Sequence, residues 1–183
     1  MIRNLKAAVL ALALASTSAF AADTVMVGGM EMYSKKDIID NAVNSADHKT
    51  LVAAVKAADL VATLKGDGPF TVFAPTDEAF GKLPAGTVGT LVMPENKATL
   101  TKILTYHVVA GKLDYKALAK LIKAGDGMAV LTTLQGGKLT AMMNGDRNIA
   151  LKDEKGNMAN ISIYDVYQSN GVIQVIDSVL MPE

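Results

Sequence analysis

The side chains able to do chemistry in this chain are few and scattered. It has two histidines, His48 and His107, and no cysteine. A covalent mechanism would therefore need Ser, Thr or Lys as nucleophile and one of two imidazoles as base. No Gly-x-Ser-x-Gly elbow, phosphate loop, dinucleotide fingerprint or His-Glu-x-x-His helix occurs. Asp153-Glu154 is a paired carboxylate, but it lies in the polar run Asp153–Asn157 and reads as solvated surface. Met26, Met30 and Met32 near the start could offer soft thioether ligands to Cu(I), with His48 as a further donor. The plainer reading is a loosely packed arm whose methionines fill gaps, since no His or Cys lies close in sequence. His48 reads as a partly exposed first-turn residue of a helix. This inventory predicts no catalytic residue, no metal site and no cofactor, and hence a protein that is not an enzyme.

The elements that would position these groups follow from the apolar spacing. Ile38, Ile39, Ala42 and Val43 recur at three and four residues, and so do Leu51, Val52, Val55, Leu60, Val61 and Leu64. They predict a helix from Lys36 and another over about His48–Leu64, ended by Gly66 and Gly68. Gly68–Phe80 reads as a Gly-Pro turn, a short β strand through Thr71–Phe73, and a stop at Pro75. Thr76 or Asp77 then caps a helix, with Asp77 and Glu78 at its positive end. Val88–Met93 reads as a short helix and Pro94 to about Ile103 as another. Leu104, Tyr106 and Val108 alternate with Thr105, His107 and Val109, which predicts a strand, and Asp114 caps a further helix. Strands follow at Ala129–Gln135, Lys138–Met143, Asn148–Lys152, Met158–Gln168 and Val172–Leu180, the first two joined by a Gly136-Gly137 turn. Helices first and antiparallel strands later give the α+β class.

Residues 1–21 have the form of a secretory signal peptide, with Arg3 and Lys6, an apolar Ala7–Ala15 run and Ala19-Phe20-Ala21. Cleavage there would leave a lead-in at 22–36 and one domain at 37–183, with no transmembrane segment. Without Arg3 and Lys6 the 18 basic residues become 16 against 18 acidic, a mature charge of −2. With no basic stripe and 5% aromatic residues, nucleic acid is not an expected partner. The expected location is exported, periplasmic or extracellular.

Gly68-Pro-Phe-Thr-Val-Phe-Ala-Pro-Thr-Asp-Glu-Ala-Phe80 and Leu104-Thr-Tyr-His-Val-Val109 resemble the two signature stretches of the fasciclin family. Leu83–Val88, Pro94–Lys97 and Asn170–Asp177 follow its pattern too, so the resemblance covers about residues 37–182. It implies a wedge of two β-sheets carrying a helical N-terminal layer. It also implies a binding or adhesion module whose partner is a cell-surface or extracellular protein or glycan. The alternative is a periplasmic carrier of a small apolar ligand or metal.

The resemblance carries the family's Tyr-His pair, implicated in adhesion in some animal members, onto Tyr106 and His107. Both also fit a structural role, with the imidazole satisfied in an apolar setting and the phenol packed with its hydroxyl at a rim. Thr71, Thr76 and Asp77 divide the same way, between a contact surface and simple capping or strand edging.

Overall fold

The computed structural model describes residues 24–183, so the signal peptide expected at residues 1–21 lies outside the described residues. The chain opens with a hairpin, β1 (Thr24–Val27) and β2 (Met30–Tyr33), turned at Gly28-Gly29. This corrects the expected loose arm. Val27 and Met32 are buried, and the hairpin packs against a later strand. Its register pairs Val25 with Met32, Met26 with Glu31 and Val27 with Met30. Paired residues share a face and neighbours alternate. Met26 therefore lies opposite Met30 and Met32, and the three thioethers do not converge.

A helical layer follows: α1 (Ile38–Ala42), α2 (Lys49–Ala57) and α3 (Val61–Leu64). The single helix expected over 48–64 is broken at Asp59, whose φ is +55°. Asp tolerates that left-handed conformation better than most residues. The break lets α3 bury Leu64 on its own. Strand β3 (Phe70–Pro75) ends at the proline and passes at once into α4 (Asp77–Gly81). Then come α5 (Thr87–Leu91), one 3₁₀ turn at Pro94–Asn96, and α6 (Lys97–Tyr106).

Helix α6 overturns the strand expected to start at Leu104. Leu100, Ile103 and Leu104 sit three and four residues apart on its buried face, and this packing carries the helix through Tyr106. Only Val108–Ala110 is extended, as β4. The remaining elements are α7 (Tyr115–Ala124), β5 (Met128–Thr132), β6 (Lys138–Asn144), β7 (Asn148–Lys152), β8 (Met158–Gln168) and β9 (Gly171–Ile176). Residues 177–180, expected as strand, run irregularly, although Val179 and Leu180 are buried.

The seven strands β3–β9 form one sheet in the order β4-β3-β9-β8-β7-β6-β5. The expected pair of separate sheets is thus corrected to one bent sheet. The bend lies in β8, which pairs with β7 through Met158–Asn160 and with β9 through Ile161–Gln168, with register shifts between. Such bulges kink a strand and raise its twist. The sheet comes close to closing: Val109 bridges Thr133, and the Leu134 N–H donates to the Val108 carbonyl at 2.7 Å. Strand β3 also pairs parallel with β9, from Phe70–Gly171 to Pro75–Ile176.

Two apolar cores result. One lies between the helical layer and the outer face of β3 and β9, around Leu51, Val55, Val72, Leu104 and Ile173. The other fills the near-barrel, around Phe73, Tyr106, Leu118, Leu139 and Ile176. Val72 and Phe73 face opposite cores because successive strand residues do. That is why β3 and β9 read as unbroken apolar runs. No helix among the described residues is long and apolar enough to cross a membrane.

Candidate functional site

Tyr106 and His107 end α6 with their rings edge to face, 6.5 Å between centroids. Tyr106 enters the barrel core, where its hydroxyl donates to the Lys138 carbonyl at 2.6 Å and accepts the Glu154 N–H at 3.2 Å. Burial pushes its phenol pKa up to about 12. His107, 3% exposed, turns toward the helical layer. Its Nδ1 lies 2.9 Å from the Ile103 carbonyl, and its Nε2 lies 3.0 Å from the Leu180 N–H. A carbonyl only accepts and an amide N–H only donates, so the ring is the neutral Nδ1–H tautomer. Burial holds its pKa down at about 4. Neither nitrogen has spare capacity to act as a base.

His48 corrects another expectation, being buried rather than partly exposed. Its Nδ1 is 2.8 Å from the Ser45 hydroxyl, and Nε2 makes no hydrogen bond among the described residues. Burial lowers its pKa, and the Ala74 carbonyl and the Asp47 and Asp77 carboxylates oppose that drop. Both histidines line a narrow apolar cavity of about 50 Å³ between the helical layer and β3.

The Pro75-Thr-Asp boundary works as capping. Thr76 Oγ1 accepts the Ala79 N–H at 3.1 Å and so caps α4. Asp77 reaches across instead: Oδ1 accepts the Thr50 N–H at 2.8 Å in the first turn of α2, and the Asp77 N–H donates to the Asp47 carbonyl at 2.7 Å. Thr71 is fully buried, donating to the Gly111 carbonyl at 2.6 Å and accepting the Leu113 N–H at 2.8 Å. The four candidate residues thus form two adjacent pairs, each engaged with backbone.

The Asp153-Glu154 pair is not free surface either. Asp153 is buried and accepts from the Asn157 N–H at 2.8 Å, the Asn157 amide at 2.9 Å and the Met181 N–H at 2.9 Å. With His107 it clamps the C-terminal segment. Sequence reasoning also passed over Asn170, which accepts the Ile38 N–H at 3.1 Å and donates to the Leu64 and Gly66 carbonyls at 2.8 and 3.0 Å. The signal was present as Asn170-Gly171 between two strand patterns, a turn whose asparagine has a side chain to spare.

These features define a rigid α+β scaffold in which the motif side chains are spent on holding the fold. Residues 46–182 match the fasciclin domain, and the chain belongs to that family. Protein sll1483 of Synechocystis is 47% identical over 149 residues, covering 81% of this chain and 75% of that one. The cell surface glycolipoprotein MPB83 of Mycobacterium bovis is 35% identical over 160 residues, covering 85% and 64%. Among solved structures, a FAS1 domain pair from the insect cell adhesion molecule Fasciclin I aligns with a TM-score of 0.69 at 19% identity. That alignment covers 80% of this chain and 51% of the other, so the likeness is one of fold.

Proposed function

We propose that this chain is an exported, non-catalytic binding module that acts in adhesion by contacting a cell-surface or extracellular protein or glycan. The observation that carries the reading is the engagement of His107. Both its ring nitrogens are used, by Ile103 and Leu180, inside an apolar wall. The residue best suited to base chemistry is thereby a structural cross-link. Tyr106, Thr76 and Asp77 are likewise turned to backbone partners. Membership of the fasciclin family, with a cell surface relative and a structural neighbour from an adhesion molecule, supports contact as the function. Export is supported by the form of residues 1–21.

The carrier reading gets less support. The cavity of about 50 Å³ is roughly a third of the about 150 Å³ known to hold benzene. Crosslinking in living cells, followed by attachment assays with a deletion strain, tests the proposal. A captured surface partner and reduced attachment are expected. Unchanged attachment with nothing captured would contradict it.

A further inference from the structure

A second cavity lies along the β1–β2 hairpin, sharing Met32 with the first, and its chemistry is different. It is a cleft of about 420 Å³ walled by Thr24, Val25, Met32 and Ser34 on the hairpin side and by Lys112, Asp165 and Tyr167 opposite. That volume falls in the range of small-molecule sites, about 300–1,000 Å³. An apolar carrier would not be built this way, because most of the named groups donate or accept hydrogen bonds.

Asp165 is the most constructed of them. It sits in the irregular stretch of β8 between Ile163 and Val166, with φ at +57°. Asp tolerates that conformation, and a bulge of this kind re-aims a side chain, a device frequent beside binding sites. The carboxylate is fixed from behind: Oδ1 accepts the Tyr115 N–H at 2.7 Å and the Gln174 amide at 2.9 Å. Gln174, fully buried, also accepts the Asp165 N–H at 3.1 Å. Oδ2 is used by no protein group among the described residues. Beside it the Tyr167 ring is 36% exposed and is steadied by its hydroxyl, which donates to Asp114 at 3.3 Å. The Lys112 ammonium stands 4.5 Å from the centroid of that ring.

We infer that this cleft binds a neutral saccharide unit, with the face of Tyr167 turned away from Lys112 as the platform for its C–H face, Asp165 Oδ2 as a hydroxyl acceptor and Lys112 as a donor. An aromatic face beside fixed donors and acceptors matches a pyranose, which is apolar across its ring and polar around its edge. The charges select for neutrality. Lys112 is offset by Asp165, and the Asp114 carboxylate is close by, so an anionic sugar meets net repulsion. The inference rests on the reading of the chain as a binding module and names its partner as glycan and its face as the hairpin–β8 side.

The test is titration of the purified protein with maltose, cellobiose and lactose, followed by amide NMR shifts. Concentrations should run to about 20 mM, above the millimolar dissociation constants of weak sites. Saturating shifts from at least one sugar, confined to Ser34, Lys112–Tyr115 and Asp165–Tyr167, are expected. Tyr167→Ala and Asp165→Asn should each weaken binding about tenfold. Asparagine tolerates the positive φ, so the second variant changes the acceptor and spares the backbone. If it fails to fold, Tyr167→Ala decides. Absence of saturation, shifts elsewhere, variants that bind like wild type, or stronger binding of glucuronic acid would each overturn the inference. A protein partner captured in cells while all three sugars leave the cleft untouched would overturn it and leave the adhesion reading standing.

Discussion

The Leu180 backbone N–H donates to Nε2 of His107 across 3.0 Å, tying the C-terminal segment to the end of α6. The bond joins residues 73 apart in sequence and is sealed from solvent. Replacing His107 with Phe keeps the bulk of the ring but strands two buried backbone groups, the Leu180 N–H and the Ile103 carbonyl. The expected loss is about 2–3 kcal/mol of unfolding free energy, measurable by urea denaturation.

The same residue sets a pH dependence. Its native pKa, about 4, lies below the ordinary 6.5, so the unfolded chain binds the proton more readily. Stability is therefore complete above pH 6.5 and falls as pH drops from 6.5 toward 4. The full effect is about 3 kcal/mol. His48, also lowered, adds to the loss in the same direction. Asp37 and Asp177 are lowered from 3.8 and act at more acid pH. Urea midpoints measured from pH 7.5 downward should decline in the wild type and decline less in His107→Phe.

Two neighbouring glycines separate conformational strain from steric clash. Gly29 has φ +72° with nothing within 4 Å of an added Cβ. Gly29→Ala should cost about 1 kcal/mol, the price of the left-handed backbone alone. Gly28 has φ +58°, and a Cβ there would lie 2.8 Å from Ser45 Oγ and from the Asp47 N–H nitrogen. Gly28→Ala should cost more, about 2–3 kcal/mol, and free the hairpin from the Ser45–Asp47 loop. Thermal melts of the pair check the order.

Capping gives a smaller and separable effect. Thr76→Ala removes the α4 cap and Asp77→Ala the bond to Thr50 in α2, each for about 1 kcal/mol. Hydrogen exchange should locate the two losses in different helices, speeding the Ala79 amide in one variant and the Thr50 amide in the other.

Much of this was legible from local chemistry. The Pro-Thr-Asp boundary announced the end of β3 and its cap. Gly136-Gly137 marked the β5–β6 connection, but the strand stops at Thr132 rather than Gln135 and the loop runs over 133–137. Of the two glycines only Gly136 takes a positive φ. What escaped was nonlocal. Leu104–Val109 alternates like a strand and also continues the three-four spacing of Leu100 and Ile103, and only packing against α2 decides for helix. The parallel pairing of β3 with β9 spans about a hundred residues and has no turn to mark it. His48 looked exposed because its partners, Ser45 and the wall of β3, come together only when the helical layer folds onto the sheet. Asp153 looked solvated because the group it holds, the Met181 N–H, lies 28 residues on.

The central claim is that the motif residues hold a scaffold whose function is surface contact. The direct measurement is partner capture and substrate turnover by wild type and His107→Phe at a temperature where both remain folded. Capture equal per folded molecule, with no turnover by either protein, is the predicted result. Turnover by the wild type that disappears in the folded variant would contradict it.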